Sequence, residues 1–311
     1  VTTYAYDPQS GLLTSSTRAS AQLDALGRSE SRTTSYRYDV LGRLISSVAG
    51  EGSAALAAAS TQQQRDSVFA LYGIQSFYDR SGRLTKTIDQ NLNKVFYFYD
   101  GDSRLAFVVK ETSLGGEVTK TTYNAFGELT ATTQYVRRIA TSAMNGGRIG
   151  EAGTTDIIGL TSGLEADADN RKTEFQYGDK RGLLTRTKDA LGFTVVRSYN
   201  QFGELIGQVS DIGATPGAAS RTDVFSYNKR GQVISKLEGT RLTQVLNLDG
   251  TDFDAFGRVT RVIDPAGNVS ATGYDRLGRV VTTVDALGKG AASTYDAFSG
   301  VLTRTGGRGA V

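Results

Sequence analysis

The chain contains no cysteine, no histidine and no tryptophan in 311 residues, and only three prolines and one methionine. Without cysteine there is no disulfide framework and no thiolate nucleophile, and without cysteine or histidine there is no zinc site of the usual kind. The imidazole base of the familiar hydrolytic triads is missing, as is any histidine pH switch. No apolar run is long enough for a membrane-spanning helix. The net charge of +3 comes from interspersed Lys, Arg, Asp and Glu. With no clustered basic stripe, specific nucleic-acid binding is not expected. The chain opens without Met or a signal peptide and closes within repeat sequence, so we expect a longer protein continuing on both sides.

Glycine, by contrast, is abundant, with 37 copies, while 39% of residues are apolar. That mix suits many short, wet strands joined by glycine turns better than a thick core. The strands are written as a repeat, (Y/F)-(D/N)-x-x-G-x-(L/V), in seven clean copies. They are Tyr38-Asp39 with Gly42, Tyr78-Asp79 with Gly82, Tyr123-Asn124 with Gly127, Tyr199-Asn200 with Gly203, Tyr227-Asn228 with Gly231, Phe253-Asp254 with Gly257, and Tyr274-Asp275 with Gly278. Degenerate copies begin at Tyr6, Tyr99, Tyr177 and Tyr295, and Tyr99 has Ser103 in place of glycine. A second motif, D-x-x-G, lies between them at Asp189, Asp264 and Asp285, and at Asp89, where Leu92 replaces the glycine. Steps of 11 and 10 residues alternate, so one repeat is 21 residues in two similar halves.

Each half reads as one strand and one turn. Asp or Asn at the first turn position hydrogen-bonds the backbone two residues on, and Gly three residues later supplies positive φ. Aromatics two apart, such as Tyr36 and Tyr38 or Tyr97 and Tyr99, mark one strand face. We expect them to stack as cross-strand ladders, each pair adding roughly 0.2–1 kcal/mol.

These motifs resemble the YD or RHS repeat of bacterial Rhs toxins, of the B and C components of insecticidal toxin complexes, and of teneurins. The resemblance implies an all-β fold: a tandem antiparallel β-hairpin ribbon spiralling as part of a hollow shell, with 1–311 one segment of it. It also implies a secreted structural protein that encapsulates a C-terminal toxic domain, and no enzyme. Its partners would be that enclosed domain, neighbouring shell repeats and a secretion or injection device. The alternative implied by the extracellular relatives is an extracellular adhesion module in which tyrosine ladders and arginines grip glycans or a cell-surface receptor. Asp264-Pro265-Ala266-Gly267 carries the letters of the family's self-cleaving core but falls in phase as an ordinary turn, so no protease residues are carried over.

Two insertions break the period. Residues 49–73, with an Ala-rich run and Val68-Phe69-Ala70-Leu71, suggest a short helix spliced into a loop tip as a surface excursion. Residues 137–174 suggest a longer hairpin or loop. Within them Glu165, Asp167 and Asp169 alternate, but Arg171 and Lys172 oppose a cation, so we expect a solvated turn and no metal. Gly146-Gly147-Arg148-Ile149-Gly150 lacks the lysine of a phosphate loop, and no cofactor is expected. Arg304 to Gly309 resembles a scrap of an RNA-contacting RGG segment and is expected to be the edge of a further repeat.

Overall fold

In the computed structural model, which describes residues 2–23, 29–178, 181–244, 252–297 and 300–306, both kinds of Asp corner become hairpin turns. Gly307 to Gly309 of the RGG segment lie outside the described residues. The chain forms two compact units, Val1–Lys172 and Thr173–Val311.

The first unit holds strands β1 (Thr2–Tyr6), β2 (Leu13–Leu23), β3 (Ser29–Tyr38) and β4 (Leu44–Val48), then helices α1 (Glu51–Ala58) and α2 (Gln62–Tyr72). Strands β5 (Ile74–Tyr78), β6 (Leu84–Ile88), β7 (Lys94–Tyr99), β8 (Leu105–Thr112), β9 (Gly115–Tyr123) and β10 (Leu129–Gln134) follow. The two-residue β11 (Gly147–Arg148) and the short helix α3 (Ile157–Thr161) complete it. Strands β1 to β10 pair antiparallel in chain order.

The second unit begins within β12 (Arg171–Tyr177) and continues as β13 (Leu184–Lys188), β14 (Thr194–Tyr199), β15 (Leu205–Asp211), β16 (Ser220–Tyr227) and β17 (Val233–Glu238). Its remaining strands are β18 (Arg241–Gln244), β19 (Arg261–Ile263), β20 (Val269–Tyr274), β21 (Val280–Val284), β22 (Gly290–Tyr295) and β23 (Val301–Thr305). They too pair antiparallel in chain order. The fold is an all-β repeat ribbon of hairpins.

The two edges of the ribbon differ. At the Tyr-Asp edge each hairpin carries a bulge beside the tyrosine: Tyr78 opposes Leu84 while Phe77 opposes Lys86, leaving Thr85 unpaired. The same skip recurs at Tyr38, Tyr99, Tyr199, Tyr227, Tyr274 and Tyr295, and each bulge adds local right-handed twist. Joined at the Asp-x-x-Gly edge, β6 and β7 pair only from Lys86–Phe96 to Ile88–Lys94 and then part. The pairs β13–β14 and β21–β22 stop after the same short ladder. Neighbouring hairpins are thus splayed on the tyrosine side.

Most apolar side chains of such a ribbon are half-exposed, and every fully buried apolar residue among those described belongs to the first unit. There Phe96 and Phe98 of β7, Phe107 and Val109 of β8 and Val118 of β9 share one sheet face. The segment after β10 covers that face with Tyr135, Ile139, Met144, Ile157 and Leu164. Burying each large side chain contributes about 1.5–3 kcal/mol. Of the longer hairpin or loop expected for residues 137–174, the loop is what forms: an irregular cap as far as Asn170, with β12 beginning at Arg171. Their apolar residues follow neither strand nor helix period, because they fill a surface made by other strands.

The cap also enters the sheet. β11 pairs parallel with the end of β7, Gly147 opposite Phe98 and Arg148 opposite Tyr99, inside the splay between β6 and β7. A Cβ on Gly146 would collide with the carbonyl oxygens of Thr85 and Tyr97, one on each flanking strand. Residues 49–73 form two helices where one was expected. The chain breaks at Ala59-Ser60 because Thr61 and Gln64 make a capping box that starts α2 afresh. Gly52 lets α1 approach, since a Cβ there would stand 2.6 Å from both Val48 and Tyr72.

Gly146→Ala should thus cost about 2 kcal/mol or more, by backbone overpacking. Gly163→Ala, which has open space around it, should stay within about 0.5 kcal/mol. Denaturant midpoints by circular dichroism check both, and equal midpoints would remove the wedge from the account.

Candidate functional site

The repeat-defining residues build one recurring structure, beginning with a carboxylate. Asp39 Oδ1 accepts the backbone N–H of Leu41 and of Arg43, both at 2.9 Å, and Oδ2 accepts Arg43 Nε at 2.6 Å. Gly42 N–H donates to Asp39 O, and Asp39 N–H to Arg43 O, each at 3.0 Å. The turn needs positive φ at its fourth residue, which Gly42 meets at 77°. Where glycine is missing, Leu92 and Ser103 take φ of 63° and 65°, a strain of about 1 kcal/mol each. Asp79, Asp100, Asp254 and Asp275 hold Arg83, Arg104, Arg258 and Arg279 in the same way.

The arginine then reaches the next hairpin. Arg43 Nη1 donates to Asp79 O at 3.1 Å, Arg258 to Asp275 O at 3.2 Å and Arg279 to Asp296 O at 2.9 Å. The same guanidinium lies over the next tyrosine: Arg43 over Tyr78 at 4.9 Å, Arg258 over Tyr274 at 4.5 Å, Arg104 over Tyr123 at 5.0 Å. Each such contact is worth about 0.5–1 kcal/mol at an exposed site. That tyrosine returns the link, its hydroxyl donating to the carbonyl of the residue after the arginine. Tyr78 reaches Leu44 O at 2.9 Å, Tyr99 Leu84 O at 2.8 Å, Tyr123 Leu105 O at 3.0 Å and Tyr274 Val259 O at 3.1 Å. Tyr199 and Tyr227 do the same to Leu184 O and Leu205 O, both at 2.8 Å. Burial, and then the Asp79 carboxylate, raise the Tyr99 phenol above its ordinary value, which keeps the donor proton in place. Where cross-strand aromatic ladders were expected, the motif tyrosines bridge the splay, and Tyr78, Tyr99, Tyr123, Tyr274 and Tyr295, which each follow an Asp-Arg turn, also lie under its arginine.

The asparagine copies invert the chemistry. A carboxylate only accepts, whereas an amide also offers N–H groups. Asn124 and Asn200 donate from Nδ2 to Glu128 and Glu204 at 2.6 and 2.5 Å, and Asn228 donates to Gln232 at 2.7 Å. Asp is thus followed four residues on by Arg in the stapled copies, and Asn by Glu or Gln. This pairing is visible in the sequence at a position the motif left unspecified. Phe253 has no hydroxyl, and at this joint Gln232 Nε2 donates to Gly257 O at 2.9 Å. Tyr38 and Phe253 occupy the register position of the other motif aromatics, opposite Leu44 and Val259. Gly82, Gly127, Gly203, Gly231, Gly257 and Gly278 all take positive φ. The residues are brought together along an edge, hairpin after hairpin.

The acidic group of the cap is dispersed. Glu165 pairs with Lys120 and accepts Tyr135 Oη at 3.3 Å, while Asp167 pairs with Arg137 at 3.1 Å. Burial, and then Glu165, push the Tyr135 phenol up to about 12. Among the described residues no three His, Cys, Asp or Glu side chains stand close enough to hold a metal ion. No helix among them is long and apolar enough to cross a membrane.

Residues 253–289 match the RHS repeat family model. This stretch is an RHS repeat. It contains two stapled turns, at Asp254 and Asp275, and two opposite-edge turns, at Asp264 and Asp285. The solved TcdB2-TccC3 structure is similar at 16% identity with a TM-score of 0.43, over 95% of this chain and 17% of that one. The Photorhabdus luminescens Tc holotoxin pore is similar at 15% identity with a TM-score of 0.44, over 95% of this chain and 16% of that one. The chain therefore spans about a sixth of their length. No curated protein matches the sequence. The hydrogen-bond set of the RHS repeat at 253–289 recurs at Asp39, Asp79 and Asp100.

Because the fifth turn position must complement the first, Asp100→Asn should speed amide exchange around the turn about threefold, the size of a partly exposed ion pair. Adding Arg104→Glu should bring it back toward the parent rate. Hydrogen exchange read by mass spectrometry decides, and a double variant worse than the single one would sink the complementarity. Protons supply a second test. At Asp39 the backbone N–H and then the side chain of Arg43 hold the carboxyl below its ordinary value, and at Asp264 Asn268 does so. At Asp79 and Asp275 partial burial pushes upward and is outweighed by the hydrogen bonds from the arginine. Depressed folded values mean that this stabilisation is complete above the unfolded carboxyl pKa of about 3.9 and drains away as pH falls through the folded values. Thermal midpoints should stay nearly level from pH 7 to about pH 5 and drop below about pH 4.

Proposed function

We propose that this chain is a wall segment of an RHS-type toxin shell, which holds a toxic polypeptide domain apart from solvent and proteases until delivery. The observation that carries the reading is the stapled edge. Side chains that elsewhere would serve chemistry are spent here on joining each hairpin to the next. The product is a wall one sheet thick, wetted on both faces except where the cap covers one face of β7 to β9, and the RHS repeat at 253–289 supports the same reading. In this proposal the protein is secreted. Its partners are an enclosed C-terminal toxin domain, neighbouring shell repeats of the same polypeptide and a delivery device, within a toxin complex. The chain itself turns over no substrate: its turn carboxylates are committed to arginine and backbone N–H groups. A tyrosine ladder gripping glycans is less favoured, since the hydroxyls of Tyr78, Tyr99, Tyr123 and Tyr274 are already donated.

Limited proteolysis of the full-length natural protein tests this. A cargo segment outside residues 1–311 should survive at least about tenfold longer within the intact protein than when expressed alone, because cleavage then waits on opening of the wall. Equal cleavage rates would refute enclosure.

A further inference from the structure

Asn145-Gly146 is the one Asn-Gly pair in the chain, and it stands where the cap enters the sheet. A single residue pins the backbone of Asn145 on both sides. Asn145 N–H donates to Thr155 Oγ1 at 2.8 Å, and Asn145 O accepts Thr155 N–H at 3.0 Å. The residue is exposed, and its side-chain amide has no hydrogen-bond partner among the described residues. Gly146 N–H likewise has no acceptor among them. The other described asparagines are committed or hindered. Asn93, Asn124, Asn170, Asn200, Asn228 and Asn268 donate their amides to neighbouring oxygens. Asn91 is followed by Leu92, whose side chain crowds the approach to the peptide nitrogen.

We propose that Asn145 is a site of spontaneous deamidation, and that its isoaspartate product withdraws β11 from the sheet, loosening the cap in one direction only. Gly146 N attacks Asn145 Cγ, and the new C–N bond closes a succinimide ring. Nδ2 leaves as ammonia, taking up the proton lost from Gly146 N. Water then opens the ring at either carbonyl. Opening at Cγ gives aspartate; opening at the main-chain carbonyl gives isoaspartate, whose backbone runs through the side chain and is one carbon longer. Only water is consumed. Glycine has no Cβ to shield the attacking nitrogen. The Thr155 N–H bonded to Asn145 O draws electrons from the same peptide group and eases loss of its proton. The slot beyond has no room to absorb a longer chain. Gly146 sits between two carbonyl oxygens, and a carbon added to it would stand 2.1 Å from that of Thr85 and 2.5 Å from that of Tyr97. Gly147 and Arg148 are fixed in register opposite Phe98 and Tyr99, so an extra atom between them and the pinned Asn145 displaces the wedge. Ile149 N–H, which donates to Tyr99 O at 2.8 Å, lies next along the chain and reports on that displacement. No stapled turn supplies a reacting atom, so the inference stands apart from the shell reading.

The test is to age the 311-residue chain in mildly alkaline buffer, where the amide proton is lost more readily. Its tryptic peptides are then followed by chromatography and mass spectrometry, with fresh protein digested alongside. The peptide holding Asn145 should convert to an aspartate and isoaspartate pair at least about tenfold faster than any other asparagine peptide. Hydrogen exchange at Ile149 and its neighbours should be at least about threefold faster in the isoaspartate fraction, as a local opening requires. Asn145→Gln, whose longer side chain closes a ring far less readily, should neither convert nor loosen, and circular dichroism should show it folded. Asn145→Asp should exchange like the fresh parent, since its backbone keeps its length. Conversion of Asn145 no faster than that of the other asparagines overturns the site. Conversion with unchanged exchange, or Asn145→Asp exchanging as fast as the aged parent, overturns the release of β11. Should Asn145→Gln not fold, the comparison of fresh with aged parent chain decides alone.

Discussion

A backbone carbonyl at a splayed strand end must find a donor, and this requirement organises the ribbon. Where β6 leaves β7, ladder pairing stops at Lys86 and Phe96, and Leu84 O is left facing the gap. An unpaired, half-buried carbonyl costs about 1–3 kcal/mol. A tyrosine is long enough to span the gap, and Tyr99 donates its hydroxyl there at 2.8 Å. Its ring then needs a lid, which Arg83 provides at 5.7 Å, and Arg83 needs an anchor, which is Asp79 at 2.6 Å. Asp79 in turn fixes a turn that closes only with positive φ, which Gly82 supplies. Tyrosine, aspartate, glycine and arginine are thus successive answers to one missing hydrogen bond.

Stability is consequently distributed in two ways. Along the strands it is a sum of nearest-neighbour terms, each of the order of 1 kcal/mol, as in other repeat proteins. In the first unit the Phe96–Phe98–Phe107 face adds a conventional core, and the segment that covers it has no place in the repeat. The second unit has no such cover among its described residues and rests on staples and ladders.

The sequence disclosed what repeats and hid what does not. The turns were legible because Asp and Gly at fixed spacing leave few backbone conformations open, and the exceptions at Leu92 and Ser103 show how strongly the rest of the turn insists. The role of the tyrosines was not legible, because a period of two reports which face a side chain takes and says nothing of its partner. The partner was written inside the motif, at the unspecified position between the glycine and the Leu or Val, in Arg43, Arg83 and Arg279, and its complement in Glu128 and Glu204. The cap was illegible for a different reason. Met144, Ile157 and Leu164 answer the shape of Phe98 and Val109, some tens of residues away in the chain, and no local period records a fit of that kind.

The staple also accounts for where the chain has accepted insertions. On the tyrosine edge, connections stay nearly constant, from Tyr38 to Leu44, Tyr78 to Leu84 and Tyr274 to Val280 alike. On the opposite edge they range from the tight turn between Thr112 and Gly115 to the helical pair between Val48 and Ile74 and the cap that follows Gln134. The Asp turns on the first edge are bonded to their neighbours through arginine, so a change of length there would break two joints at once. The turns at Asp89 and Asp264 close locally, through Asn93 and Asn268, and a longer loop in such a place disturbs only itself. A segment added on the permissive edge can nevertheless return to the constrained one. Residues 146–148 do so, and they fit the splay between β6 and β7 because glycine there leaves room for the carbonyls of Thr85 and Tyr97.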